Sequence, residues 1–524
     1  MKLNLLFTTF LTKITAIFIL ITVFNINYAQ SQSKNFQCGT DIVHRQKMAT
    51  DLKYAAQYQK LQAEYQTYLQ QMQQKSNTTS RIGYNGCSAK IVIPVAIHII
   101  HIGEAVGTGS NISDANVNIA ITKLNSDWAN SNGFGPNMDV EFRLAKRDPS
   151  GNSTTGILRV NGSSVTNYAA NGVTRTAGDG GASETAVKDL SKWPVDKYYN
   201  IWVVKDITGT NVAGFAYYPN GSPYDGTIIE YPWMDNFQHV LAHELGHAFN
   251  LAHTFNGDNG ATCPLDGDCT VDGDGVCDTA PQRQNDCTVS AVSPCAGATN
   301  TAANWNNSLR NYMSYCFVGQ YRFSAGQRVR ARAAATGSIR GSLLDSDGCV
   351  PVGNVVEASI LNFIFPTTSI CTATFSPQIS IKNYGTTTIT AAVISLKIDG
   401  VAQPNTTYAG TIATNASATV TLAASTVAVG AHVVEAQIIS INSAILADSY
   451  TEDNKICSTF NYVAAIVAPV CNSFDAGVLP TDWTVLGDLP VQITPQAGCA
   501  AQGANSFRFH TIDRSEERRV GKEC

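Results

Sequence analysis

The run His239-Val-Leu-Ala-His243-Glu244-Leu-Gly-His247-Ala-Phe-Asn250-Leu-Ala-His253-Thr-Phe255 constrains this chain more than any other stretch of it. On a helix, His243 and His247 stand one turn apart, so both imidazoles leave one face at a spacing that suits tetrahedral zinc. Glu244 then lies beside the metal, placed to take a proton from polarised water and pass it to a leaving amine. His253 comes six residues after His247 and reaches the same ion only if the helix stops and the chain turns sharply. Position 250 is where that turn is expected, and Asn is the best substitute there for Gly because it tolerates the left-handed region. With 9 histidines in the chain, random placement produces His-Glu-x-x-His in about 4 of 1,000 such sequences. Histidines merely packed in a helix core are therefore the weaker reading, and they would leave Glu244 and three imidazoles in need of buried partners. His98 and His101, in a strand, and His239, expected on the helix face, are not read as ligands.

Two downstream segments extend the pattern, Gly273-Asp274-Gly-Val-Cys277-Asp278-Thr279 and Asn311-Tyr312-Met313-Ser314-Tyr315-Cys316. Together with the histidine run they resemble the metzincin metalloproteases and, within that clan, the pappalysin-type family, over about residues 88–335. Three departures stand out: Asn250 replaces the usual Gly, Cys277 sits inside the acidic motif, and Ser314 stands where an acid is common. The resemblance implies an α/β metzincin-like catalytic domain, with a twisted mixed sheet, an active-site helix and a methionine turn at Met313. It implies zinc on His243, His247 and His253, Glu244 as general base and then general acid, and Tyr315 as a phenol that helps stabilise the oxyanion. The substrate class is a protein or peptide. The acid-rich loop from Asp258 to Asp286 could hold calcium, although its spacing is not that of an EF-hand, and a solvated acidic loop stapled by disulfides is the equal alternative.

Strands alternating with helices support the mixed α/β core. An apolar run spans Ile91–His101, and a helix from about Ser113 places Val117, Ala120, Ile121, Leu124 and Trp128 on one face. Residues 355–468 change character to short alternating strands with Gly and Asn turns, the pattern of an all-β immunoglobulin-like sandwich. From Cys471 a truncated β jelly-roll module begins, expected over 469–513. Residues 514–524 look like the in-frame translation of a sequencing-adapter oligonucleotide, so the natural chain is expected to continue beyond Asp513. At the other end, residues 1–29 carry Lys2 and Lys13 ahead of an apolar run too short to span a bilayer, which reads as a secretory signal peptide. Residues 30–81 read as a pro-segment or spacer with a helical stretch around Ala55–Met72, and 82–348 as the protease domain. The net charge of −5 contains no basic block inside the body of the chain, which argues against a nucleic-acid partner. No membrane span is expected.

Fourteen cysteines fit an oxidising, extracellular location. Cys263, Cys269, Cys277, Cys287, Cys295 and Cys316 could make three bridges, with 15 pairings open. Cys87 with Cys349, Cys371 with Cys457, and Cys471 with Cys499 are expected to pair within modules. Cys38 is left over in Gln37-Cys38-Gly39-Thr40, and a thiolate there could occupy the open zinc position and hold the enzyme latent. Pro-segments of related proteases carry a similar Cys-Gly-Thr, usually after Arg, where this chain has Gln37. The expected product is a secreted zinc endopeptidase, attached to a cell surface or matrix through its C-terminal β modules. The alternative is a surface adhesion protein with a vestigial protease domain, but intact His243, Glu244, His247, His253 and Met313 weigh against it. A zinc peptidase with a downstream Glu as third ligand is disfavoured by His253 and the methionine turn.

Overall fold

A computed structural model describes residues 37–77 and 90–463, with breaks at 177, 210–211, 235–238, 259–261, 317, 354–355, 367–368 and 444–453, together with 491–495 and 505–509. The expected signal peptide, adapter tail, Cys87, Cys471 and Cys499 lie outside the described residues.

The centre of the first half is a seven-stranded sheet. Its middle strand, β2 (Ile91–His101), is almost continuously apolar because both of its faces are covered, as a strand inside a largely parallel sheet requires. It pairs in parallel with β3 (Val140–Leu144) along its first half and with β4 (Ile157–Asn161) along its second. On its other side lie β5 (Tyr199–Val204), then β7 (Thr227–Glu230), then β6 (Val212–Ala216), which alone runs antiparallel to its neighbour β7. His98 is a sheet residue, with Nε2 on Asn200 Oδ1 at 2.8 Å and its ring stacked on Trp202.

Two helices set one face of this sheet. In α3 (Asp114–Trp128) the Ser113 side chain accepts from Asn116 N and fixes the start, and Val117, Ala120, Ile121, Leu124 and Trp128 are buried together, as their spacing predicts. The histidine-bearing helix α4 (Val240–Ala248) packs on β6 and β7 and is buried along its whole length. His239 is not on the face of that helix: it precedes α4 at φ 61°, and its Nδ1 meets Asp127 Oδ2 at 2.7 Å. Further on, α5 (Ala302–Leu309) and α6 (Ala325–Thr336) flank the methionine turn, α6 opening on a full capping box between Ser324 and Gln327.

The N-terminal segment is folded onto this domain and is no mere spacer. Its β1 (Gln37–Cys38) adds to the β6 edge in parallel, with Cys38 opposite Gly214 and Gly39 N donating to Gly214 O at 2.8 Å. Then come α1 (Thr40–Thr50) and α2 (Leu52–Asn77), the latter longer than the sequence-expected stretch. Leu61 of α2 packs on Tyr218 and Ala334, Gln66 Nε2 donates to Thr270 O at 3.0 Å, and Glu64 accepts from Ser338 N at 3.2 Å.

The second half is all β. A three-stranded sheet, β13 (Ser417–Thr421), β10 (Gln378–Asn383) and β8 (Ala358–Phe365), is antiparallel throughout. A five-stranded sheet runs β12 (Val401–Ile412), β11 (Ile389–Ile398), β14 (Gly430–Ile441), β15 (Lys455–Tyr462) and β9 (Ser369–Ile370). Alternate residues such as Ile379, Ile381, Ile394, Leu396, Val434 and Ala436 point into a common core separate from that of the first half. Among the described residues no helix is long and apolar enough to cross a membrane.

Candidate active site

His243 and His247 project from one face of α4 with their Nε2 atoms 3.3 Å apart. After Ala248 the helix ends: Asn250 takes φ 69°, and Leu251 N donates back to Gly246 O at 2.9 Å. That reversal brings His253 Nε2 to 3.1 Å from His243 Nε2 and 3.2 Å from His247 Nε2. The turn is held from behind by Arg330, whose Nε donates to Asn250 O at 2.7 Å. All three imidazoles are buried.

The outer nitrogens decide what the inner ones can do. His243 Nδ1 lies 2.6 Å from Tyr312 O, His247 Nδ1 lies 2.8 Å from Leu251 O, and His253 Nδ1 lies 2.9 Å from Asp41 Oδ2. A carbonyl or carboxylate oxygen only accepts, so each ring carries its proton on Nδ1 and presents a bare lone pair at Nε2. Three lone pairs converging within 3.3 Å repel one another unless a cation sits among them. Nitrogens bound tetrahedrally to zinc at its usual distance stand about 3.3–3.4 Å apart, so the three rings fit zinc. Cys38 Sγ completes the group, and it is the one set of three or more His, Cys, Asp or Glu side chains among the described residues that converges closely enough to hold a metal.

Glu244 is fully buried beside the histidines. Its Oε2 accepts from Cys38 Sγ and from Thr40 Oγ1, each at 3.4 Å, and among the described residues its Oε1 has no hydrogen-bond partner. Burial pushes this carboxyl up to about 8, and a divalent charge next to it would oppose that shift. Room for the side chain comes from Gly214 on β6, where an added Cβ would stand 3.2 Å from Glu244 Cγ. Tyr315 packs its ring on His253 and Phe255, with centroids 5.2 and 4.7 Å away. Its hydroxyl accepts from Cys38 N at 3.0 Å, so the N-terminal segment occupies the one polar atom that this phenol offers the cleft.

Comparison with known proteins adds a sequence-level observation to this geometry. The peptidase M43 family model, described as pregnancy-associated plasma protein-A, matches residues 181–335. The chain carries a pappalysin-type metalloprotease domain, and the enzyme is a zinc metalloendopeptidase. An extracellular metalloprotease of Neurospora crassa is 26% identical over 314 residues, covering 57% of this chain and 87% of that protein. Among solved structures, a mutant promirolysin of Tannerella forsythia is 24% identical and covers 59% of this chain and 97% of its own, with a TM-score of 0.42. Mature mirolysin from the same organism, in complex with a cleaved peptide, is 26% identical over 49% of this chain and 96% of its own, with a TM-score of 0.37.

Within the pappalysin domain, the turn at Met313 runs directly beneath the histidines. Met313 is fully buried, its N donates to Asn311 Oδ1 at 2.9 Å, and its carbonyl accepts from Thr254 N at 3.2 Å, tying the turn to the residue after His253. Gly246 makes this approach possible, because a Cβ there would collide with Met313 Sδ. Helix propensity alone predicts that Gly246→Ala stabilises by about 1 kcal/mol. The packing predicts the opposite, a loss of about 1–3 kcal/mol as methionine and helix are forced apart. A thermal unfolding midpoint that rises in this variant would refute the second account.

The acid-rich loop of the pappalysin domain is closed by three disulfides, Cys263–Cys295, Cys269–Cys277 and Cys287–Cys316, which select one of the pairings left open above. Its carboxylates serve the loop itself and what it packs on. Asp272 accepts from Gly267 N and Asp268 N, Asp266 from Thr299, Asp274 from Val276 N and Thr279 Oγ1, and Asp278 from Ser324 Oγ and Gly326 N at the start of α6. The calcium expectation gains no support from this arrangement: no three acids in the described loop converge on a common point. Reasoning from sequence missed Thr40, Asp41 and Gly214. The first two were within reach, since they directly follow Cys38-Gly39, whereas Gly214 becomes visible only once β6 is known to face α4.

Proposed function

We propose that this protein is a secreted endopeptidase made as a latent precursor, with His243, His247 and His253 as zinc ligands and Cys38 as the latch. The observation that carries the reading is the convergence of three Nε2 lone pairs and the Cys38 thiol on one buried point, with the Glu244 carboxylate beside it against that thiol. Bound there, zinc supplies Lewis acidity that polarises water and the scissile carbonyl. Glu244 takes the proton of the attacking water, Oε1 being its unengaged oxygen, and delivers that proton to the leaving amine. Departure of β1 frees the Tyr315 hydroxyl to donate to the developing oxyanion. It also bares the β6 edge, along which an extended substrate can add as a strand.

The rest of the chain is read in the same frame: signal peptide 1–29, pro-segment 30–81, protease domain 82–348, immunoglobulin-like sandwich 355–468, and the start of a jelly-roll adhesion module after it. Activation would cut between Ser76 and Lys90. Secretion is supported by the N-terminal apolar run and by the extracellular naming of the relatives. Cys371 and Cys457 are both disulfide-bonded, in keeping with a bridge inside the β module. The test is digestion of a peptide library by the activated protein before and after stripping with a chelator. Cleavage should vanish with the metal and return with added zinc, and cleavage that persists in zinc-free protein would end the proposal.

A further inference from the structure

Holding an imidazole at a metal requires an acceptor behind it, which fixes both the ring's rotation and the tautomer that offers the inner nitrogen. For His243 and His247 that acceptor is a backbone carbonyl of the catalytic domain itself, Tyr312 O at 2.6 Å and Leu251 O at 2.8 Å. For His253 it is the carboxylate Oδ2 of Asp41 at 2.9 Å, in the first turn of α1. Among the described residues His253 Nδ1 has no other partner. The ring of Phe255 stacks on His253 at 4.5 Å with planes 12° apart, which holds the plane of the imidazole but not its rotation within that plane.

We propose that Asp41 is a positioning residue for the third zinc ligand, so that the N-terminal segment completes the metal site from behind as well as in front. This rests on the zinc reading above. The four consecutive residues from Cys38 to Asp41 then have a division of labour. Cys38 brings its thiol to the open face of the histidine cluster, and Thr40 Oγ1 accepts from Ala216 N at 3.0 Å while reaching Glu244. Asp41, one helical step on, passes around the edge of His253 to its far side. Gly39 lets this strand-to-helix transition lie flat, since a Cβ there would stand 3.2 Å from Arg175 Cδ and 3.3 Å from Phe215 Cβ. Excision of the segment therefore removes two supports at once, the fourth donor and the outer acceptor of His253. It follows that the precursor is the form built to acquire and retain zinc, and that the mature enzyme holds it less tightly.

The test uses full-length precursors in a Glu244→Gln background, which removes the proposed general base so that no peptidase activity trims the segment during the measurement. Three proteins are compared: Cys38→Ala, Cys38→Ala with Asp41→Ala, and Cys38→Ala with Asp41→Asn. Each is loaded with zinc and challenged with an excess of chromogenic chelator, and the rate of zinc loss is read. Removing Cys38 throughout isolates the contribution of Asp41. Loss of an outer-shell partner weakens metal binding about 10–100-fold, so the Asp41→Ala protein should release zinc faster by that factor. Asp41→Asn, whose amide oxygen still accepts, should fall between, and being isosteric it decides the question where Asp41→Ala does not fold. Equal release rates with stoichiometric zinc in all three would overturn the role of Asp41 while leaving the zinc site standing. Failure of Cys38→Ala itself to take up zinc would overturn the zinc reading and this inference with it.

Discussion

Glu244→Gln should lower kcat/KM for peptide hydrolysis by about 10²–10⁴-fold, which corresponds to about 2.7–5.5 kcal/mol of lost transition-state stabilisation. Glu244 is fully buried one residue from a histidine of the cluster, its Oε1 has no hydrogen-bond partner among the described residues, and its Oε2 meets only the Cys38 thiol and the Thr40 hydroxyl. Both of those partners leave with the N-terminal segment, so the carboxylate of the activated enzyme faces the cleft with nothing else to do. Gln keeps the shape in the space that Gly214 provides but cannot accept and return a proton. Zinc content should stay at one per chain, because Glu244 is not among the converging donors. Measuring zinc and kcat/KM on the same activated preparation separates a lost base from a lost metal, and full activity in this variant would exclude Glu244 as the base.

Much of that site is legible in the sequence itself. The i,i+4 spacing of His243 and His247, the turn at Asn250 and the return of His253 are local features of one short run, and local geometry is what sequence spacing encodes. Asn250 does sit at positive φ, because the helix must reverse within a few residues and Asn is tolerated there. The buried face of α3 and the apolar run of β2 were equally readable, each being a periodicity within one element. What escaped was contact between distant segments. That Gly246 must be Gly depends on where Met313 lies, that Gly214 must be Gly depends on Glu244, and the Gln62–Asn250–Arg330 link joins α2 to the turn and to α6. No spacing rule reaches across 188 residues from Gln62 to Asn250. The acidic loop shows the same limit: clustering in sequence leaves a shared ion and a solvated loop stapled by disulfides both open, and only the fold shows these carboxylates on backbone and hydroxyl donors of their own.

Cys38→Ala in the precursor is the other change with a large expected effect, and its size is set by what the substitution leaves in place. The thiol touches Glu244 Oε2 at 3.4 Å and accepts from Thr40 N at 3.3 Å, and both contacts go with it. The backbone anchors stay: Gly39 N on Gly214 O, Cys38 N on the Tyr315 hydroxyl, and the packing of α1 and α2 over Tyr217 and Tyr218. The segment therefore remains seated but is tethered less firmly, and the population in which β1 has lifted from β6 rises. If the thiol contributes about 1.4–2.8 kcal/mol to closure, the open fraction and the basal peptidase activity of the precursor rise about 10–100-fold. A cobalt-substituted precursor supplies a second readout, because a sulfur–cobalt charge-transfer band present in the native protein should be absent from the variant. Should activity and spectrum both match those of the unmodified precursor, the latch cannot be Cys38, and latency would have to come from the β1–β6 pairing alone.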